Sequence, residues 1–363
     1  VKDQDGKALE FEVVGQQLRI RLPRARKTGD AFEVRVRYEA SPKKGLFFTA
    51  PDKGYPNKAR IVWTQGEEMD NRSWYPSYDY PNQKFTTELV VTVHEKYQAV
   101  ANGHLVAEKH DANRHTRTFH WLQDKPHPNY LVALVVGEWD TKAWDADGVP
   151  VQAYVAKGLG QHIDLCFSRV PHMVKFFGRV TGLKFPWDKY AQVCVPDFTF
   201  GGMENTSITI LYEHCLTDEH AYPDYSSDAL LSHELAHQWF GDWITCKSWG
   251  HLWLNESFAD YFECLWWEDY YGKDDFLLHL EETRSGYYEE AEKDYRRPIV
   301  THKFVEAEDM LDNHTYNKGC GVLHMLRTVL GDDLWWKGIR HYVQEHGLQN
   351  AETTDFRVAL EEA

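Results

Sequence analysis

Cysteine is scarce in this chain, with six among 363 residues and none in a Cys-x-x-Cys pair. No disulfide framework follows from that spacing, and free, buried thiols are expected, Cys246 and Cys264 included. Long apolar runs are missing too. None approaches the roughly 20 residues that span a bilayer, so no membrane segment is expected. No signal-peptide pattern opens the chain, and neither an internal repeat nor a low-complexity linker interrupts it. Basic residues are in deficit, 40 Lys and Arg against 56 Asp and Glu, for a net charge of −16. That balance argues against nucleic acid and against an anionic membrane surface as partners. It leaves the substrate open, because acidity is normally spread over a solvated face. Hydrophobic residues make up 42% of the chain, enough for real cores, and the length suggests about two domains.

The two halves differ in pattern. Residues 18–22, 32–38 and 89–93 alternate apolar and polar, as half-buried strands do. Residues 130–136 form a continuous apolar run suited to a strand buried on both faces. Asn102-Gly103 and Asp147-Gly148 read as turns. An all-β sandwich or saddle-like domain is therefore expected over residues 1–149. Past a boundary near 145–150 the pattern becomes helical, with helices expected over about 160–181, 228–240, 252–271, 274–293, 319–330 and 333–346. Strands are expected near 190–211, so residues 150–363 read as a small sheet plus helices and the whole chain as α+β.

The most informative stretch is His233-Glu234-Leu235-Ala236-His237, followed after 18 residues by Glu256. Side chains four apart share one face of a helix, so His233 and His237 can bind one metal ion together. Ser226, Ser227 and Asp228 offer N-cap groups, and Gly241 ends the run. Catalytic zinc takes three protein ligands, and Glu256, at the start of a second helix, can be the third. Glu234 cannot face the ion beside the two histidines, but it can reach a water there, as a general base and proton shuttle would. Asp260 and Glu263 lie on the same helical face as Glu256. Either could accept the second N–H of His233 or His237, and Glu263 is preferred. A bare His-Glu-x-x-His recurs in ordinary helices, and it is the downstream Glu256 that favours a metal site.

These residues resemble a known family. His233-Glu234-Leu235-Ala236-His237-Gln238-Trp239-Phe240-Gly241 with Trp253-Leu254-Asn255-Glu256 is similar to the metal signature of the zinc aminopeptidases related to aminopeptidase N and leukotriene-A hydrolase, in the gluzincin clan. Three further runs match in order: Thr64-Gln65-Gly66-Glu67, Gly201-Gly202-Met203-Glu204-Asn205, and Tyr316-Asn317-Lys318-Gly319. Ser257, Thr206-Ser207 and Asp242 depart from the family's common residues at positions given no chemical role.

The resemblance implies a thermolysin-like metallopeptidase domain behind the β domain, one zinc per chain, and peptide substrates with a free N-terminus. Gly201, Gly202 and Met203 would form an edge strand against the substrate backbone. Glu204 and Glu67 would bind the terminal amine, Glu67 from the β domain, which sets the active site at the domain interface. Tyr316 would donate to the oxyanion. The implied activity is that of an aminopeptidase. The alternatives are an endopeptidase with the same zinc chemistry and a non-catalytic scaffold. Family members normally carry more β-structure before the first residue and a helical domain after the last, so a fragment is expected. Compartment, oligomeric state and preferred N-terminal residue are left open.

Overall fold

The computed structural model describes residues 1–222 and 224–363. The N-terminal part is built from antiparallel strands. Lys84–His94, Thr116–Pro128 and His104–Asp111 form one sheet, with Thr116–Pro128 central. Leu46–Thr49, Ile61–Thr64, Leu134–Gly137 and Gln98–Ala101 form another, in that order. Gly103 turns the chain from one sheet to the other with φ +71°, and a side chain there would run into the Leu122 carbonyl.

The C-terminal part begins with a five-stranded mixed sheet. Its order is Trp139–Ala146, Val149–Ala156, Tyr190–Val195, Ile208–Tyr212 and Gly202–Met203. Asp147 and Gly148, with φ of +56° and +90°, make the tight turn of its first hairpin. Residues 145–150, where a domain boundary is expected, lie within this hairpin, both strands of which belong to the same sheet. Gly202–Met203 lies at the sheet's edge, antiparallel to Ile208–Tyr212, with Met203 opposite Ile210.

The described residues form eight α-helices, the first two between Val149–Ala156 and Tyr190–Val195 and the rest after the sheet: α1 Ile163–Phe167, α2 Val170–Thr181, α3 Asp228–Ala236, α4 Trp253–Tyr270, α5 Lys273–Lys293, α6 Gly319–Leu330, α7 Asp332–Glu345 and α8 Thr353–Glu362. Apolar spacing explains the burial of α2, where Val170, Met173, Val174, Phe177 and Val180 all point inward. Each such side chain contributes roughly 1.5–3 kcal/mol on burial. One core joins α2, α3, α4 and α7, and a second runs from Trp63 and Leu131 of the β domain to Val193 and Ile210 of the five-stranded sheet. All six cysteines are free and buried. Among the described residues no helix is long and apolar enough to cross a membrane.

Several expectations need correction. The run 130–136 is not one strand: Asn129–Leu131 is a 3-10 turn and the strand is Leu134–Gly137. Asparagine side chains take up the backbone there. Asn71 donates to the carbonyls of Asn129 and Val132, and Asn102 donates to Leu131 O and accepts from Ala133 N–H. Of residues 32–38 only Val34–Arg35 pairs, with Lys2–Asp3. The helix expected over 160–181 is broken into α1 and α2 at Ser168–Arg169. The metal helix ends at Ala236, with turns carrying the chain on to Phe240.

Candidate active site

The metal motif is held from below by charge. Asp228, fully buried at the start of α3, accepts from Arg169 Nε on both carboxylate oxygens at 2.8 Å and from the Tyr271 hydroxyl. An anion at this end also suits the helix dipole. The expected cap is only part of the story. Ser226 Oγ accepts the Asp228 N–H, while the Ser227 hydroxyl is spent on the Cys166 carbonyl.

α3 and the first turn of α4 then bring three donor atoms together. His237 Nε2 lies 3.1 Å from His233 Nε2 and 3.2 Å from Glu256 Oε2, and His233 Nε2 lies 3.5 Å from the same oxygen. A point close to all three is about 2 Å from each, the length of Zn–N and Zn–O bonds. The outer nitrogens fix the tautomers. His237 Nδ1 donates to the Phe240 carbonyl at 2.9 Å, and His233 Nδ1 faces Asp260 at 3.0 Å and Glu263 at 3.4 Å. Both Nε2 lone pairs therefore turn to the shared point. The donor set and its spacing fit a zinc ion.

The preference for Glu263 is reversed. Asp260 is nearer, and Glu263 also bonds His279 of α5, an acceptor role that sequence reading missed. Neither carboxylate approaches His237, whose partner is a backbone carbonyl.

Glu234 faces the cleft, with Gly202 against its carboxylate. Its Oε2 is buried without a hydrogen-bond partner. Burial pushes its carboxyl up to about 8, the two imidazoles pulling down and Glu204 and Glu256 pushing further up. Glu67 and Glu204 each have a buried, unpartnered Oε1, and they offer oxygens within 4.8 Å of each other and of Glu256. Such crowding of carboxylates calls for a cation. Gln238 ties Glu204 to the metal helix: its Nε2 donates to the Glu204 carbonyl at 3.0 Å and its Oε1 accepts from Ser207 N–H at 2.8 Å. Gly66 allows the Glu67 turn to press on the Tyr130 carbonyl, where a side chain would not fit.

Tyr316 sits on a π-helical turn, His314–Lys318, with its ring 6.1 Å from that of His233. Sequence reading missed what holds this turn. Arg297 Nε donates to Asp312 and its Nη2 to Thr315 Oγ1, each at 2.7 Å, and buried His314 bonds Glu290 of α5 at 2.7 Å. The Ser257 hydroxyl donates to the Thr315 carbonyl, so this departure from the family pattern anchors the residue next to Tyr316. Glu67, Gly201, Gly202, Glu204, His233, Glu234, His237, Glu256, Glu263 and Tyr316 all line one cavity of about 430 Å³. Met203 lies buried beside it, in contact with Gln65.

The N-terminal part matches the Peptidase M1 N-terminal domain over residues 2–131, and residues 166–363 match the Peptidase family M1 domain. The chain belongs to peptidase family M1. Human glutamyl aminopeptidase is 31% identical over 314 residues, covering 84% of this chain and 32% of that protein. Aminopeptidase M1-A of Oryza sativa subsp. japonica is 28% identical over 318 residues, covering 84% of this chain and 35% of its own length. The chain thus spans about a third of the length of these curated relatives. An M1 zinc metallopeptidase from Deinococcus radiodurans shares the fold, with TM-score 0.82 and 22% identity, covering 100% of this chain and 79% of that one.

Proposed function

We propose that this M1 chain is a zinc-dependent aminopeptidase that removes residues from the amino end of peptides. The observation carrying the proposal is the pair of buried, unpartnered carboxylates, Glu67 and Glu204, beside Glu256. They supply what a substrate ammonium needs, and they fix the terminus against the cleft. His233, His237 and Glu256 would hold one zinc ion per chain, which would supply the Lewis acidity that lowers the pKa of water and polarises a carbonyl. Asp260 and Glu263 keep His233 turned toward that point. The edge at Gly201, Gly202 and Met203 offers backbone to the peptide.

Glu234 is the general base. Burial holds its carboxyl up at about 8, and the ionised form, favoured by a cation held by His233, His237 and Glu256, takes the proton of the attacking water and delivers it to the leaving amine. Tyr316 donates its phenol O–H to the oxyanion of the tetrahedral intermediate, a contribution of about 2.7–4 kcal/mol for such donors. The test is Glu234→Gln on aminoacyl-nitroanilides, with metal content measured in parallel. Loss of hydrolysis with metal retained is expected. Hydrolysis at the parent rate in the variant would refute the assignment.

A further inference from the structure

Glu67 and Phe200 are shared between the metal cleft and a larger cavity of about 610 Å³ on the β-domain side. If Glu67 and Glu204 hold the terminal amine, as proposed above, the side chain of that same residue leaves its Cα into the larger space. The inference rests on that reading. The walls are aromatic at Phe47, Tyr80, Trp249 and Phe304. The polar groups are mostly acceptors. Gln65 is only 4% exposed, its Nε2 is engaged by Met203, and its Oε1 has no partner. Glu68 is part-buried and Glu308 is exposed, and among the described residues neither makes a side-chain hydrogen bond or ion pair. The basic groups on the lining are directed to solvent or paired elsewhere: Lys44 pairs with Asp70 at 3.6 Å and is 71% exposed, and Lys43 and Arg72 are exposed.

Acceptors outnumber the free donors here, of which buried Trp249 Nε1 is one, and in a negative, partly desolvated cavity next to an amine site they favour a cationic donor. We propose that this cavity receives the side chain of the N-terminal residue and selects lysine or arginine there, through Glu68, Glu308 and Gln65. A guanidinium or ammonium satisfies the free acceptors while its methylenes lie on the aromatic walls. Burial already pushes the Glu68 carboxyl up to about 7, with Glu308, Asp70 and Glu306 raising it further and Lys44 opposing them. A bound cation removes that strain, and an acidic side chain adds to it.

The experiment compares kcat/KM for arginyl-, lysyl-, leucyl- and glutamyl-coumarins on the parent, Glu68→Gln and Glu308→Gln. Calorimetry of argininamide and leucinamide binding to the Glu234→Gln protein gives a readout that needs no turnover. Arginyl and lysyl substrates should exceed leucyl by at least about tenfold, equivalent to about 1.4 kcal/mol, with glutamyl last. Each Gln variant should shrink the arginyl-to-leucyl ratio several-fold, and argininamide should bind more tightly than leucinamide. Turnover that favours leucyl or glutamyl substrates would overturn the pocket assignment and leave the aminopeptidase reading standing. Unchanged ratios in both variants would overturn the named residues. No turnover of any substrate, with tighter argininamide binding, would sink the catalytic reading and keep the pocket. No turnover and no binding preference would sink both.

Discussion

Ser257 fills the space a side chain at Gly319 would need, and the position of the Tyr316 turn depends on that close approach. A Cβ added at Gly319 would lie 2.6 Å from Ser257 Cβ and nearer still to its hydroxyl, where ordinary contact starts at 3.4 Å. The turn and α4 would have to part by at least about 0.8 Å, an overpacking cost of about 1–3 kcal/mol. A shift of that size moves Tyr316, and misplacement by about 1 Å can cost about 10²-fold in rate. Gly319→Ala should therefore lower kcat/KM by about two orders of magnitude on a fluorogenic aminoacyl-coumarin. Ser257→Gly removes both obstructing atoms. Alone it loses the bond to the Thr315 carbonyl, about 1 kcal/mol, and places glycine in a helix, about 1 kcal/mol more. The double variant should then recover most of the rate lost by Gly319→Ala. Measuring the four proteins side by side decides the matter. Gly319→Ala at the parent rate, or a double variant no better than Gly319→Ala, would refute the packing argument.

Other outcomes follow from the same geometry. Asp228→Asn breaks a buried ion pair at the root of α3 and should destabilise the protein by about 3–5 kcal/mol in a denaturant titration. Asp260→Asn should weaken zinc affinity about 10–100-fold in a competition titration, and Glu263→Gln less, because Asp260 is nearer to His233. Glu68 ionises as pH rises through about 7, so the arginyl-to-leucyl ratio should grow between pH 6 and pH 8. A flat ratio across that range, with Glu308, Asp70, Glu306 and Lys44 left in place, would count against Glu68. Chelation should abolish hydrolysis and added zinc restore it, followed by assay alongside metal analysis.

The features legible in the sequence were the local ones. Two histidines one turn apart and a carboxylate on the next helix are set by helical periodicity, and the end of α3 and the start of α4 juxtapose them with 3.1–3.5 Å between the facing donor atoms. Glu67, Glu204 and Tyr316 were readable only through the family resemblance, since no periodicity links positions so far apart. What stayed hidden was tertiary. Asn71 and Asn102 draw the backbone of residues 129–133 out of strand geometry, and an apolar run carries no sign of that. The Phe240 carbonyl that orients His237 has no side-chain identity to read. Arg297 and Asp312, 15 residues apart, become partners only once the turn bearing Tyr316 is folded.

The central claim is that Glu67 and Glu204 make the cleft count from a free amino end. Matched peptides with free and acetylated N-termini, followed by mass spectrometry, test it most directly. The account predicts stepwise loss of single residues from the free peptide and an intact acetylated one. Cleavage of the acetylated peptide at an internal bond would contradict it.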